Sequence, residues 1–330
     1  MLRSGLSSSP RTKPRGFLTE IMKQTDQTKC VIAIDGGGTK TLAVLADLNG
    51  KILAAAKTGP SSPRNLGIAI ATENIVQAIK KLLKGDEIAA AIIGLASVQE
   101  QPKYKNQIKK EILKNKQIAK ALKGKLEIVS DQLTAFRSGS DEKDGIVLIS
   151  GTGCVAHGWR GKKETHSSGW GWLNDEGSAF WLGQQALQAI LKDLDDRGPK
   201  TKITQIAFQE LKAKSKEDLM NKIYANPMVI TPLFSVFCDL ASQKKDFVAK
   251  KLMEQAGQEL ALSTKTVIKS LDLQKTRFPL VLVGSMFKSD IVLKTVKKQV
   301  RAFAKKADFI LPKHEPVIGA VKIALEKLRA

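Results

Sequence analysis

The stretch "VIAIDGGGTKT", from Val31 to Thr41, decides how the rest of the chain is read. Val31, Ile32, Ala33 and Ile34 form a short continuous apolar run, the pattern of a strand covered on both faces. The run ends on Asp35, and Gly36, Gly37 and Gly38 then remove every side chain where the backbone turns. Bare amides can approach something large and anionic there. A plain hairpin is the alternative, since the apolar run "TLAVLAD" follows. A hairpin needs one glycine, however, and not three beside an acid.

Around this unit the N-terminal half alternates. Strand-like runs at 30–35, 41–47 and 51–57 precede a helical pattern at 67–84. "IAAAIIGLA" then reads as a buried strand, 104–122 as a lysine-rich helix, and "LEIVSD" as another strand. Hairpin strands followed by strand–helix alternation predict a mixed sheet with helices on its faces. The pattern then restarts with "GIVLISGTGCVAHGW", an apolar strand, a Gly-Thr-Gly turn and a second apolar run. Such an echo predicts two related domains facing each other across a cleft. Residues 175–273 read as mainly helical, "RFPLVLVGS" as a strand with a glycine turn, and the chain closes on an amphipathic helix.

Bulk properties narrow the function classes. A chain of 330 residues can hold two domains and bury roughly 75% of its extended surface. It contains no run of about 18 apolar residues that could span a membrane. Cys30, Cys154 and Cys238 are odd in number and far apart, which fits a reducing cytoplasm rather than a disulfide framework. The formal charge of +22 invites a nucleic-acid reading, but only 10 of the 54 basic residues are arginine. The lysines are spread over most helices, and aromatic content of 5% leaves few stacking platforms. A solvated lysine surface, without a specific nucleic-acid partner, is the expectation. The first 29 residues are polar, basic and rich in Ser and Pro, and read as a disordered extension.

Two strand–glycine–threonine turns and a later "LVGSMF" turn make three backbone cradles for phosphate oxygens. Gly36, Gly37, Gly38, Thr39 and Lys40 form the first, and Gly151, Thr152 and Gly153 the second. Asp35 would sit where a magnesium ion bridges the phosphates. The spacing is not that of a G-x-x-x-x-G-K-[ST] loop, and no G-x-G-x-x-G follows a strand.

"DGGGTKT", "ISGTGCVA", "GWGWLNDEGSAFWLG" and "LVGSMFKS" together resemble the N-acetylglucosamine kinase and BadF/BadG-type ATPase family. That family belongs to the actin-like, hexokinase and Hsp70 ATPase superfamily. The resemblance spans residues 30–325 and implies an α/β fold of two ribonuclease-H-like domains. Each would carry a mixed five-stranded sheet flanked by helices, with the active-site cleft between them. The boundaries it implies are 30–130 for the first domain, 131–316 for the second with a helical insertion, and a helix at 317–329 returning to the first. It further implies ATP and Mg²⁺ as cofactors, Gly284 and Ser285 against the adenosine, and Asp175, preceded by Gly169 and Trp170, binding sugar hydroxyls. Asp131 matches an aspartate at the cleft. Helix N-capping is the alternative role for both Asp131 and Asp175. Relatives are often dimers, so a homodimer stands among the expectations, although no sequence feature specifies it.

Two departures stand out. A sugar kinase needs a carboxylate to accept the proton of the attacking hydroxyl. Relatives carry it just after "GLAG", whereas this chain has "GLASVQEQPK", which puts Gln99 at that position in a gapless comparison. An amide cannot be the base, and its loss lowers the rate by about 10²- to 10⁴-fold. Glu100, one residue along, is the expected base. Likewise the relatives' "GxSN" becomes "GPSSPRNLG", leaving Ser62 or Asn65 to contact the sugar, with Arg64 beside them. Three functions follow: an amino-sugar kinase acting at the 6-hydroxyl, a sugar or nucleotide sensor with an impaired site, and an ATPase activator of the 2-hydroxyacyl-CoA dehydratase type. The last needs cysteines placed for an iron–sulfur cluster, and none here is paired at close spacing.

Overall fold

The structure is a computed structural model that describes residues 29–99 and 101–329. The expected N-terminal extension and Glu100 lie outside the described residues, Lys29 apart. The first half runs β1 (Lys29–Gly36), β2 (Thr41–Asp47), β3 (Ile52–Thr58), α1 (Pro63–Leu82), β4 (Glu87–Leu95), α2 (Lys103–Leu113), α3 (Lys116–Leu122), β5 (Leu126–Ser130) and α4 (Asp131–Gly139). Then come β6 (Gly145–Ser150), β7 (Cys154–Arg160), β8 (Lys163–Ser168) and six helices. These are α5 (Ala179–Leu194), α6 (Lys202–Glu210), α7 (Lys216–Ala225), α8 (Pro227–Ile230), α9 (Leu233–Gln243) and α10 (Phe247–Ser270). The chain finishes with β9 (Phe278–Val283), a 3₁₀ turn (Ser285–Lys288), α11 (Asp290–Phe303), β10 (Ala307–Ile310) and α12 (Pro316–Arg329).

The strands form two five-stranded mixed sheets, as the resemblance implies. Their orders are β3-β2-β1-β4-β5 and β8-β7-β6-β9-β10. In each sheet the first three strands are antiparallel and the last two join in parallel, so the second sheet repeats the first strand for strand. The echo between the two glycine turns reflects this repeat: each turn joins the central strand of its sheet to the next.

Burial explains the continuous apolar runs. On β1, Cys30, Ile32 and Ile34 face a core shared with Ile75, Ile79 and Ile108 of α1 and α2. Val31 and Ala33 face the opposite way, onto Val317, Ala320, Val321 and Ala324 of α12. A strand with two covered faces has no polar positions to alternate with. On β6, Ile146 and Leu148 join the large helical core, while Val147 packs on Phe136 of α4. Helices α4 and α12 therefore lie between the two sheets. They meet at Gly319, where a Cβ would stand 1.9 Å from the Thr134 carbonyl oxygen.

Some local expectations are corrected. The helix read at 104–122 is two helices, because the Asn115 side chain accepts the Ile118 amide at 3.1 Å and starts a new one. Helix α1 contains Gly67 at φ 78°, ψ 164°, so its regular part begins beyond that residue. The helix caps fall on serine. Ser130 Oγ accepts the Leu133 amide and Ser178 Oγ the Trp181 amide, which leaves Asp131 in the first turn of α4 and Asp175 outside α5.

Candidate active site

The first glycine turn is built by tying carbonyls inward. Gly36 O accepts the Ala96 amide and Gly37 O the Ser61 amide, each at 3.0 Å. In a trans peptide the N–H points opposite to its C=O. The Gly38 amide therefore faces away from Ser61, and Gly38 and Thr39 are exposed. Thr41 Oγ1 pins the base of the turn by donating to Gly59 O at 2.7 Å and bonding Ser61 Oγ at 2.8 Å, with both side chains fully buried.

The second turn repeats the device. Gly151 O accepts the Ala179 amide at 2.8 Å and Thr152 O the Phe180 amide at 3.4 Å, which turns the Thr152 and Gly153 amides away from α5. The third element abuts it: a Cβ on Gly284 (φ 120°) would stand 2.0 Å from Ser150 O, so only glycine fits. Gly284 and Ser285 are exposed beside this turn. The residues predicted for the second and third cradles are thus neighbours in space.

Asp35, at the end of β1, is half-buried, and its pKa is pushed up to about 6. Burial is the main cause and the Glu315 charge adds to it, while Lys40 acts in the opposite sense. Lys40 itself bonds Glu315 Oε1 at 2.6 Å, just before α12. Among the described residues, no group of three or more His, Cys, Asp or Glu could hold a metal ion alone. A hard cation here would need oxygens from the nucleotide beside Asp35.

The opposite wall contains Asp175, which is 3% exposed. Its Oδ1 accepts the amides of Gly169, Trp170 and Gly171 at 3.1, 2.9 and 3.3 Å, and its Oδ2 accepts the Cys154 amide at 3.1 Å. Ser168, Gly169 and Gly171 have φ of 66°, 84° and 123°, so successive N–H groups converge on one point. The aspartate is the internal anion of this backbone nest, and it joins the 168–175 loop to the second glycine turn. Burial raises its pKa, against the four amide bonds that favour the carboxylate. Trp170 is 72% exposed at the tip, and Trp172 meets Phe180 edge-on at 4.5 Å.

The two walls touch. Arg64 Nη1 donates to Trp170 O at 3.4 Å. Gln99 Nε2 donates to Glu164 Oε1 of β8 at 3.1 Å, and Glu164 also meets Nε2 of the fully buried His157 at 2.9 Å. His157 Nδ1 contacts Gln132 of α4. Nothing in the spacing of Gln132, His157 and Glu164 announces this chain, because its links cross between elements. Of the expected sugar contacts, Ser62 is buried with its Oγ 3.3 Å from Ser97 Oγ. The Asn65 Nδ2 lies by the first turn, 3.6 Å from where a Gly38 Cβ would stand. Asp131 is half-buried at the start of α4. The three cysteines are buried and free, and burial pushes Cys154 up to about 12 and raises Cys30 and Cys238. None presents a ready thiolate at the surface.

Comparison with known proteins agrees with this geometry. Residues 32–324 match the profile of the BadF/BadG/BcrA/BcrD ATPase family. The chain is 32% identical to an N-acetylmuramic acid/N-acetylglucosamine kinase of Clostridium acetobutylicum, over 90% of this chain and 98% of the relative. It is 29% identical to an N-acetyl-D-glucosamine kinase of Dictyostelium discoideum, over 89% and 97%. Among solved structures, a ROK family glucokinase from Streptomyces griseus, in complex with glucose and AMPPNP, shares the fold. Its TM-score is 0.58 at 16% identity, covering 90% of this chain and 99% of that one.

Proposed function

The chain belongs to the BadF/BadG/BcrA/BcrD ATPase family, and on that premise we propose that it is an ATP-dependent amino-sugar kinase, transferring the γ-phosphoryl group to the 6-hydroxyl of N-acetylglucosamine or a close relative. The observation that carries the reading is the pair of glycine turns. Each ends the central strand of its own sheet; the Gly37 and Gly151 amides close the turns on Lys40 O and Gly153 O, and the inward-tied carbonyls leave the amides of Gly38, Thr152 and Gly153 facing away. Such amides stabilise charge on a transferring phosphoryl without reorganising. The names of both curated relatives support a hexosamine-type acceptor.

In this reading Gly36–Lys40 and Gly151–Gly153 grip the phosphates, Gly284 and Ser285 lie along the adenosine, and Asp35 with the phosphates holds Mg²⁺, which neutralises phosphate charge. The sugar lies between Ser62, Asn65, Asp131 and the Gly169–Asp175 loop. Glu100 accepts the hydroxyl proton, since the amide of Gln99 cannot. The working lobes are 30–130 with 317–329, and 131–316, in a cytoplasmic enzyme. The structural support for a homodimer is α9, whose Leu233, Val236 and Leu240 share an exposed face. From residue 223 to 243 the chain has no lysine or arginine, so two copies of net charge +22 repel least there. A Val236→Asp variant should then halve the mass seen by light scattering.

The deciding experiment measures ADP release with glucosamine, N-acetylglucosamine, N-acetylmuramic acid and glucose. Turnover that depends on an amino sugar is the expected result. ATP binding without sugar-dependent ADP release would favour a sensor and end the kinase reading.

A further inference from the structure

The chain Gln132–His157–Glu164–Gln99 crosses from α4 through β7 and β8 to the loop between β4 and α2. Its inner part is buried. His157 is fully buried and stacks on Trp159 with ring centroids 4.3 Å apart at 14°. Burial pushes its pKa down, against the neighbouring Glu164, which raises it, and so favours the neutral ring. A neutral imidazole has one N–H. It serves both neighbours when Nε2–H donates to Glu164 and the Gln132 amide, which places Oε1 against Nδ1, is turned so that its NH₂ faces that nitrogen. Glu164 Oε1 is then held from behind by His157 and accepts from Gln99 Nε2 as well.

That arrangement explains the amide at position 99. A carboxylate there would face the Glu164 carboxylate with no proton between them, whereas Gln99 Nε2 supplies the donor. The residue that cannot serve as a base is the right residue to bond this acid. We propose that Glu164 is a positioning residue. Oriented by His157, it holds Gln99, and with it the turn that follows β4, against the second sheet across the cleft. The proposal rests on the kinase reading for its catalytic consequence but not for its structural content.

The experiment combines kinetics with hydrogen exchange on the full chain. Glu164 lies on an edge strand with 43% of its side chain exposed, so Glu164→Ala should fold, which a melting curve checks. Loss of one hydrogen bond to a partly exposed charged group predicts a kcat lower by about fivefold, with little change in sugar KM. Gln99→Ala should do the same, and the double variant should be no slower than either single one. Glu164→Gln, which keeps an acceptor oxygen, should restore most of the rate. Independently of turnover, peptides covering residues 96–102 should exchange faster in Glu164→Ala than in wild type. Unchanged exchange there, or additive losses in the double variant, would overturn the proposal. A wild-type chain without kinase activity would remove the function reading and leave the exchange comparison to decide the strut.

Discussion

Lys40 Nζ stands 2.6 Å from Glu315 Oε1, which ties the first glycine turn to the residue preceding the last helix. Both side chains are about half exposed, so the pair adds little to stability, typically about 0–1 kcal/mol. Its effect falls instead on the charge available to phosphates. Glu315→Ala should release Lys40 and remove an anion that opposes ionisation of Asp35. The expected outcome is a lower KM for ATP, by roughly two- to fivefold on the scale of one weak charge pair, with an almost unchanged melting temperature. Nucleotide titration and thermal melts check both halves.

Asp35→Asn should separate stability from activity. A carboxyl whose folded pKa lies above its unfolded value of about 3.9 binds its proton more tightly when folded. Its contribution to stability is therefore complete below the unfolded pKa and is lost as pH rises through about 6. The asparagine has no such loss. It should melt higher than wild type above pH 6 and show little advantage at pH 4, while ADP release falls by about 10²-fold or more. Equal melting curves across that range would contradict the assignment.

Asp175→Asn tests whether this aspartate holds the loop. Four amides converge on its two oxygens, and an asparagine offers only one oxygen. Either the Cys154 amide or the nest is left without its acceptor, a loss of about 1–3 kcal/mol for each buried group. Urea denaturation should register the loss even without ligands. A residue that served the sugar alone would leave the denaturation midpoint unchanged.

Gly319→Val addresses the contact between α4 and α12. A Cβ at this position meets the Thr134 carbonyl oxygen at 1.9 Å and the Ser138 amide nitrogen at 2.8 Å, both backbone atoms that cannot swing aside. The helices must separate, and overpacking of this kind destabilises by about 1–3 kcal/mol or more. Denaturant titration reads the shift, and Gly319→Ala should show a smaller one of the same sign.

The parts of the fold legible in the sequence were those set by local pattern. Strands β1, β4, β6 and β9 are buried on both faces, so their apolar runs stand out, and the glycine turns follow from chain direction alone. Strand β8, "KETHSS", is a polar edge strand, and β10 has four residues with only Ala307 buried, so neither carries an apolar signature. The break at Asn115 hides inside an unbroken lysine pattern. Within the site, the glycines are readable because each turn is contiguous. The partners of Asp175 are main-chain amides, which no side-chain pattern records, and Gln99 meets Glu164 across 65 residues. Both depend on how the two sheets are set against each other.

The backbone-to-backbone touch of Gly319 on Thr134 limits how the molecule can move. Helix α12 packs on the β1 face, while α4 packs on the β6 face and, through Leu133 and Thr134, on the first sheet as well. Helices in such close registry cannot slip lengthwise past each other without collision. Any change in the angle between the sheets must therefore preserve the Gly319–Thr134 approach, where the two backbones leave no room for even one added carbon.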